Sequence, residues 1–197
     1  MFIPPWGKLL PDRSKFDFSL LYQKLLLVSC KKSDIMALVL KNQGAAMIRP
    51  FTAEDRENYL AMAMEFMDSP AILHPIPQSY LEQNFQTAIS ESPFLKGYLF
   101  ADEKTAMGYA MVSFSYSTER AGLLLWVEEL YIRPAYRGQG LGTAFFRFVK
   151  EEFGVKGYRL EVAPDNPRAA ALYERLGYRD VVYRQMFAPY LQIEEEH

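Results

Sequence analysis

The residues of this chain with the clearest chemical potential form a glycine-rich loop. The sequence Arg137-Gly138-Gln139-Gly140-Leu141-Gly142 runs between a predicted strand and a predicted amphipathic helix. Glycine lets the backbone approach a ligand closely, and the amide N–H groups at the start of a helix then converge on one point. Such a concavity suits phosphate oxygens, with the helix dipole contributing about 0.3–1 kcal/mol per charge. The spacing therefore predicts an anion-binding loop, in which the Arg137 side chain is a candidate phosphate contact.

Two common phosphate-binding motifs do not fit this loop. A P-loop ends in Gly-Lys-Ser/Thr, whereas this loop continues as Leu141-Gly142-Thr143. The dinucleotide fingerprint Gly-x-Gly-x-x-Gly requires glycine where Thr143 or Phe145 stands, depending on which glycine is taken first. A purely structural strand-to-helix turn remains the alternative interpretation.

Hydrophobic periodicity and turn residues predict the elements that position this loop. An apolar run over 123–132 predicts the preceding strand, and 140–153 the following helix. Hairpins followed by βαβ connections predict an α/β (α+β) fold with a mixed sheet and helices on both faces. The other predicted helices are 53–67, 78–90 and 167–176, and the other predicted strands are 47–50, 96–101, 106–116, 158–162 and 178–187.

Two motifs at a characteristic separation carry a family resemblance. Arg137, Gly140 and Gly142 meet the pattern Arg/Gln-x-x-Gly-x-Gly/Ala, and residues 166–178 read NPRAAALYERLGY. Together they resemble the GNAT superfamily of acyl-CoA-dependent N-acyltransferases, over about residues 46–188. The resemblance implies a GNAT-like, mostly antiparallel central sheet with a splayed parallel strand pair.

The resemblance also implies acetyl-CoA as the acyl-donor substrate and no metal. The diphosphate is expected on the loop amides, and the pantetheine arm is expected to pair with the main chain of the splayed strand as an added strand would. Asn166 is implied as a cofactor contact, although it could simply cap its helix. The implied cofactor-binding residues are Leu130, Tyr131, Ile132, Arg137, Gly138, Gln139, Gly140, Leu141, Gly142 and Asn166.

The implied reaction is acetyl transfer to a primary amine by direct attack in a ternary complex. Deprotonating a lysine-like amine at pH 7 costs about 4.6 kcal/mol, so a nearby carboxylate is needed as base. Strand alternation predicts that only one of Glu128 and Glu129 faces the cleft. Glu128 is favoured as the base by analogy with the family, and Glu129 is the second candidate. The alternative role for both is an edge carboxylate or an ion pair. Tyr173 stands where the family has the general acid that protonates the leaving thiolate. A main-chain N–H of the long strand is expected to meet the oxyanion.

The acceptor is expected on the opposite side of the sheet. Candidates are the segment 62–77, which includes His74, and aromatic side chains. Neither names a substrate, so a small-molecule amine and a protein or peptide amine both remain open, as does a homodimer. The aromatic candidates are Tyr109, Phe114, Tyr116 and Trp126.

Composition excludes several other classes of protein. The chain has 197 residues and a net charge of −2, which argues against nucleic acid as the main partner because that would need a basic face. One cysteine excludes a disulfide framework, and two histidines leave little for a metal centre. No uncharged apolar stretch is long enough to span a bilayer. A cytoplasmic protein with no membrane partner is the resulting expectation.

The two ends of the chain lie outside the patterned domain, which we place at 46–190. Residues 1–45 form an extension of unassigned role, with predicted helices over 18–27 and 34–40. Leu27-Val28-Ser29-Cys30 fits a lipoprotein cleavage box, but the long start with Asp12 and Asp17 does not fit a lipoprotein signal, and Met47 is an alternative start. Residues 191–197 are expected to be a solvated acidic tail.

Two other functions fit parts of this sequence. One is an acyl-CoA-binding regulatory module without turnover. The other is a generic nucleotide-binding domain. The presence of both Tyr173 and a strand carboxylate favours an enzyme over the regulatory module.

Overall fold

A computed structural model describes residues 46–188. The extension 1–45, with its two predicted helices, and the tail 191–197 lie outside the described residues. In the described part, no helix combines the length and apolarity that crossing a membrane requires. The elements are β1 (Met47–Pro50), α1 (Arg56–Met67, preceded by a 3₁₀ turn Ala53–Asp55), α2 (Gln78–Ile89), β2 (Leu95–Ala101), β3 (Ala106–Ser117), β4 (Gly122–Ile132), a 3₁₀ turn Pro134–Tyr136, α3 (Leu141–Glu152), β5 (Gly157–Leu160) and α4 (Pro167–Arg175).

Within residues 46–188 the strands form one five-stranded sheet in the order β1-β2-β3-β4-β5. The first three neighbouring pairs are antiparallel, and β4 and β5 are parallel. The parallel pairing begins at Leu124 with Gly157 and ends at Val127 with Leu160. Because β4 continues to Ile132, its last residues extend past the end of β5 without a ladder partner on that side. The predicted mixed sheet with a splayed parallel pair is confirmed.

Helices cover both faces of this sheet, as the sequence predicts. On one face α1 and α2 bury Tyr59, Met62 and Phe85 against Leu99 and Tyr109. On the other face, α3 buries a set of large side chains against the sheet, and α4 adds partly buried ones. The buried α3 residues of that second cluster are Leu141, Ala144, Phe145, Phe146 and Val149.

The start of α1 is fixed to β1 by a buried carboxylate. Asp55 is 3% exposed and accepts hydrogen bonds from Arg49 at 2.6 and 2.8 Å and from the Thr52 N–H at 2.7 Å. Burial alone would raise the pKa of Asp55, but the hydrogen bonds from Arg49 and Thr52 outweigh it and lower the pKa. The charged carboxylate is therefore the form that the fold stabilises.

The predicted final strand over 178–187 is wrong. After α4 the described chain contains no further strand. Val182, Tyr183 and Phe187 are 80–100% exposed, so most of the apolar side chains behind the prediction lie in solvent. Their β propensity indicates a strand only where a neighbouring strand supplies ladder bonds and a face to pack on.

Replacing Asp55 with alanine should lower the free energy of unfolding by about 2 kcal/mol, because Arg49 and the Thr52 N–H then lose their acceptor. Since the folded-state pKa of Asp55 lies below its unfolded value of about 3.9, the stabilisation is full above that pH and lost as pH falls through the folded pKa. Urea unfolding at pH 7 and pH 3 measures both effects. The exposed Glu57→Ala is the control and should change stability by less than about 0.5 kcal/mol; equal losses in the two variants would contradict the assignment.

Candidate functional site

A cavity of about 550 Å³ runs along the free end of β4 to the glycine loop and α4. We call it the main groove. Most of the residues implied by the family resemblance line it together with Tyr173, although they are far apart in sequence. Those lining residues are Leu130, Tyr131, Ile132, Arg137, Gly138, Gly140, Leu141, Gly142, Asn166 and Tyr173.

The glycine loop takes a backbone conformation that L side chains rarely adopt. Gly138 and Gly140 have φ of +80° and +84°. A Cβ on Gly140 would meet nothing within 4 Å, so the requirement there is conformational rather than steric. The first intrahelical bond of α3 runs from the Ala144 N–H to the Gly140 carbonyl at 2.9 Å. The N–H groups of the residues before Ala144 in the first turn therefore have no partner within the helix and are available to an outside acceptor.

The backbone groups of β4 that face the groove belong to Leu130 and Ile132. The Arg133 N–H donates to the Met107 carbonyl of β3, so the two-residue alternation directs the main chain of Tyr131 towards β3 as well. The N–H and C=O of Leu130 and Ile132 then point the other way, past the end of β5. Of the three residues predicted here, Tyr131 lines the groove by its side chain rather than by its main chain.

Two of the predicted loop side chains donate hydrogen bonds to main-chain carbonyls outside the loop. Gln139 is not among the groove-lining residues, and its side-chain amide donates to the Ala135 carbonyl at 3.2 Å. The Nε of Arg137 donates to the Ile132 carbonyl at 2.7 Å, and its guanidinium lies 5.8 Å from the centre of the Tyr131 ring. Arg137 is thus anchored to β4 through Nε and still lines the groove.

Helix α4 brings Tyr173 and Asn166 to the groove. The Asn166 side chain accepts a hydrogen bond from the Ala169 N–H at 3.2 Å, with Pro167 at the first helical position, so Asn166 caps α4 and lines the groove. The Tyr173 ring packs between Phe146 and Tyr178, at centroid distances of 5.8 and 5.9 Å. Burial raises the pKa of Tyr173, which keeps its hydroxyl protonated at neutral pH.

A β-bulge places Glu128 and Glu129 on the same side of the sheet. In the β3–β4 register Met111 faces Glu129 and Val112 faces Val127, which leaves Glu128 as the extra residue. The Glu128 carboxylate accepts a hydrogen bond from Ser113, and that of Glu129 accepts one from Tyr109. Ser113 and Tyr109 are four residues apart on one strand and share a face. Strict alternation, which would put the two side chains on opposite faces, does not survive a bulge; of the two glutamates, only Glu128 lines a cavity.

The two glutamates nevertheless have different surroundings. Glu129 is half-buried at the edge of the aromatic cluster under α1, and Tyr109 donates to it at 2.5 Å. Burial raises the pKa of Glu129, the charge of Glu128 adds to that rise, and the hydrogen bond from Tyr109 partly opposes it. Glu128 is exposed and lines a second cavity of about 260 Å³, which we call the side cavity, with Ser113, Ser115, Trp126, Val127 and Glu161.

The acceptor candidates are dispersed. Trp126 lines the side cavity, where its Nε1 donates to Ser115 at 3.2 Å. Tyr109 is buried and Phe114 belongs to the core of the opposite face. Tyr116 and His74 are exposed and line neither cavity.

Part of the predicted acceptor segment 62–77 reaches the main groove, because Phe66, Ser69, Pro70 and Ala71, at the end of α1, close it on the α1 side. Arg168, which lines the groove beside the loop, has no counterpart among the predicted sites. The sequence does carry a signal for Arg168. It stands two residues after Asn166, in the first turn of a predicted helix, where a cation is unfavourable for the helix itself and so indicates another partner.

Comparison with known proteins finds acetyltransferases that are similar to this chain in sequence or in fold. The curated thialysine N-epsilon-acetyltransferase of Bos taurus is 40% identical over 78 residues, which are 38% of this chain and 45% of the bovine protein. The chain therefore matches less than half the length of this relative. Among solved structures, a possible acetyltransferase from Clostridium difficile 630 superimposes with a TM-score of 0.63 at 19% identity, covering 75% of this chain and 99% of that one. The aminoglycoside N-acetyltransferase AAC(6')-Iy in complex with CoA has a TM-score of 0.59 at 15% identity, covering 77% and 98%.

The structural neighbours share the fold, and the sequence model of one family covers the site. The model described as the acetyltransferase (GNAT) family matches residues 59–178, which is more than half of the chain. That range includes β4, the glycine loop and α4. The chain belongs to the acetyltransferase (GNAT) family.

Proposed function

We propose that this protein transfers an acetyl group from acetyl-CoA to a primary amine by direct attack in a ternary complex. The observation that carries the proposal is the main groove, because one cavity is lined by the glycine loop, by outward-facing main chain of β4 and by the partly buried Tyr173. The named relatives, an N-epsilon-acetyltransferase and an aminoglycoside N-acetyltransferase, are consistent with an amine acceptor. Family membership and the donor chemistry support the proposal; the identity of the acceptor is open.

The residues of the groove fit acetyl-CoA as the acyl-donor substrate. The diphosphate would accept hydrogen bonds from the N–H groups of the loop and the first turn of α3. The pantetheine amides would pair with the outward main chain of Leu130 and Ile132, as a strand added to a sheet edge does. The Ile132 carbonyl can accept a second bond beside Arg137 Nε, since a carbonyl oxygen has two lone pairs.

Glu128 is the favoured base and Glu129 the second candidate. Glu128 has both a route to the acceptor side, through the side cavity, and a carboxylate held by Ser113. It would take the proton that the attacking amine loses, directly or through a water molecule. Glu129 lines neither cavity and is held by Tyr109.

Tyr173 and the main chain of β4 would complete the reaction. As the amine nitrogen attacks the thioester carbon, the carbon–sulfur bond breaks and the Tyr173 hydroxyl donates its proton to the departing sulfur. The Leu130 N–H points into the groove, where it can donate to the negative oxygen that develops on the acyl carbon. The side cavity offers the amine an approach lined by hydroxyls and carboxylates.

Incubation with acetyl-CoA and a panel of amines should release free thiol, and Tyr173→Phe should lower kcat by about 10²-fold through loss of the general acid. The control is Tyr178→Phe, which should keep wild-type kcat. It removes a hydroxyl from the same aromatic cluster, and that hydroxyl is buried and has no hydrogen-bond partner among the described residues. Undiminished turnover in Tyr173→Phe would remove Tyr173 from the mechanism. CoA binding with no thiol release for any amine would favour a regulatory module instead.

The base is identified by the pH dependence of kcat/KM. Glu128→Gln should lower kcat/KM by about 10²-fold near neutral pH, with a smaller loss at high pH, where the free amine is abundant without a base. Glu129→Gln should leave most of kcat/KM intact. If the larger loss follows Glu129→Gln, the roles of the two residues are exchanged.

Glu129→Gln also has a predicted effect on stability. The folded-state pKa of Glu129 is raised above its unfolded value of about 4.3, so wild-type stability falls as pH rises from that value through the folded pKa. Glutamine is uncharged and can still accept from Tyr109, so the variant should be more stable than wild type above the folded pKa and equal to it below pH 4. Urea unfolding of both proteins from pH 4 to 8 measures the difference; a destabilisation of Glu129→Gln at every pH would contradict the assignment.

A further inference from the structure

Arg168 lies against the glycine loop beside Gly138. Its Nη2 atom is 3.7 Å from the position that a Cβ would take on Gly138. Arg168 is exposed and lines the main groove together with Gly138 and Gly140. A guanidinium is therefore in place beside the loop amides.

The other arginine of the loop is engaged elsewhere. Arg137 donates through Nε to the Ile132 carbonyl, and its guanidinium lies over the Tyr131 ring. Its Nε is therefore occupied at the β4 end of the groove, although Arg137 lines the groove as well. A second guanidinium beside the loop would add to the neutralisation of a phosphate bound there.

Neither the helix nor an ion pair accounts for Arg168. It is the second residue of α4, after Pro167, where the positive end of the helix dipole disfavours a cation. In the residues described, the ion pairs are Arg49–Asp55, Arg56–Glu82 and Arg133–Glu65, and none includes Arg168. A positive side chain kept at an unfavourable position, beside an anion-binding loop, points to a bound anion.

We propose that the guanidinium of Arg168 binds the diphosphate of the acyl donor from the side opposite the loop amides. A planar guanidinium can donate two parallel hydrogen bonds to one phosphate group, which a lysine cannot do. This inference rests on the proposed use of acetyl-CoA and adds a residue that selects the donor. It adds Arg168 to the loop amides as a reason that the groove would bind thioesters carrying a diphosphate in preference to thioesters of pantetheine alone.

The test is calorimetric titration of the full chain with three ligands: CoA, dephospho-CoA and pantetheine. Arg168→Gln should weaken the binding of CoA and dephospho-CoA by the same factor, about 10-fold, from the loss of a charged hydrogen bond. Pantetheine, which has no phosphate, should bind wild type and variant alike. Arg168→Lys should recover part of the loss, because it restores the charge without the two-pronged geometry.

The matched control is Arg147→Gln on the exposed surface of α3, which changes the net charge equally and lines neither cavity. It should weaken CoA binding by less than about 2-fold, because it changes only the long-range electrostatic attraction, which salt screens. Equal losses in Arg147→Gln and Arg168→Gln, or no loss in Arg168→Gln, would overturn the assignment. A loss for CoA but not for dephospho-CoA would also overturn it, by placing Arg168 on the 3′-phosphate.

This design separates the inference from the proposed reaction. If wild type binds CoA but releases no thiol with any amine, the transferase proposal fails and the Arg168 result still decides the inference. If wild type turns over and Arg168→Gln binds CoA normally, only the inference fails. If wild type binds neither CoA nor dephospho-CoA, both are overturned.

Discussion

One extra residue in β4 determines how the site is built. On the N-terminal side of the bulge at Glu128, the Leu123 carbonyl accepts from the Lys156 N–H, so odd-numbered residues of β4 face β5. On the C-terminal side the phase is reversed, and Leu130 and Ile132 face outward. The parallel pairing with β5 ends at Val127, the residue next to the bulge. Because a bulge bends its strand and increases the local twist, it accounts for the parting of β4 from β5 and for the free main chain there.

The same bulge brings two carboxylates to one face of the sheet. Regular alternation would have placed one of Glu128 and Glu129 among the apolar residues against α3, where a charge has no partner. Instead each glutamate has a hydroxyl donor from β3, Ser113 or Tyr109. Their proximity still costs free energy, since the charge of Glu128 adds to the rise in the pKa of Glu129. A chain that keeps such a pair gains something other than stability from it, which favours a chemical role for at least one member.

The sequence predicts the elements well wherever local pattern and tertiary packing agree. The helices bearing Tyr173 and the loop were located to within one or two residues, because proline and glycine punctuate their ends and an apolar face continues between. The two failures share a cause. The bulge at Glu128 and the absent strand after Gly177 both depend on which strand supplies ladder bonds, and pairing is a property of distant residues that a single segment does not encode.

The site residues divide in the same way. The glycines were expected in the groove from their spacing and Tyr173 from the family motif, and all of them line it, whereas Arg168 enters the groove only through the packing of α4 on the sheet. Main-chain recognition explains why so little of the donor site is visible in side chains. Groups such as the N–H of Leu130 are present at almost every position of any sequence, so only the backbone path decides which of them bind. In the proposed reaction, side chains would then add what the main chain lacks, which is charge: a guanidinium for the phosphates and a carboxylate for the amine proton.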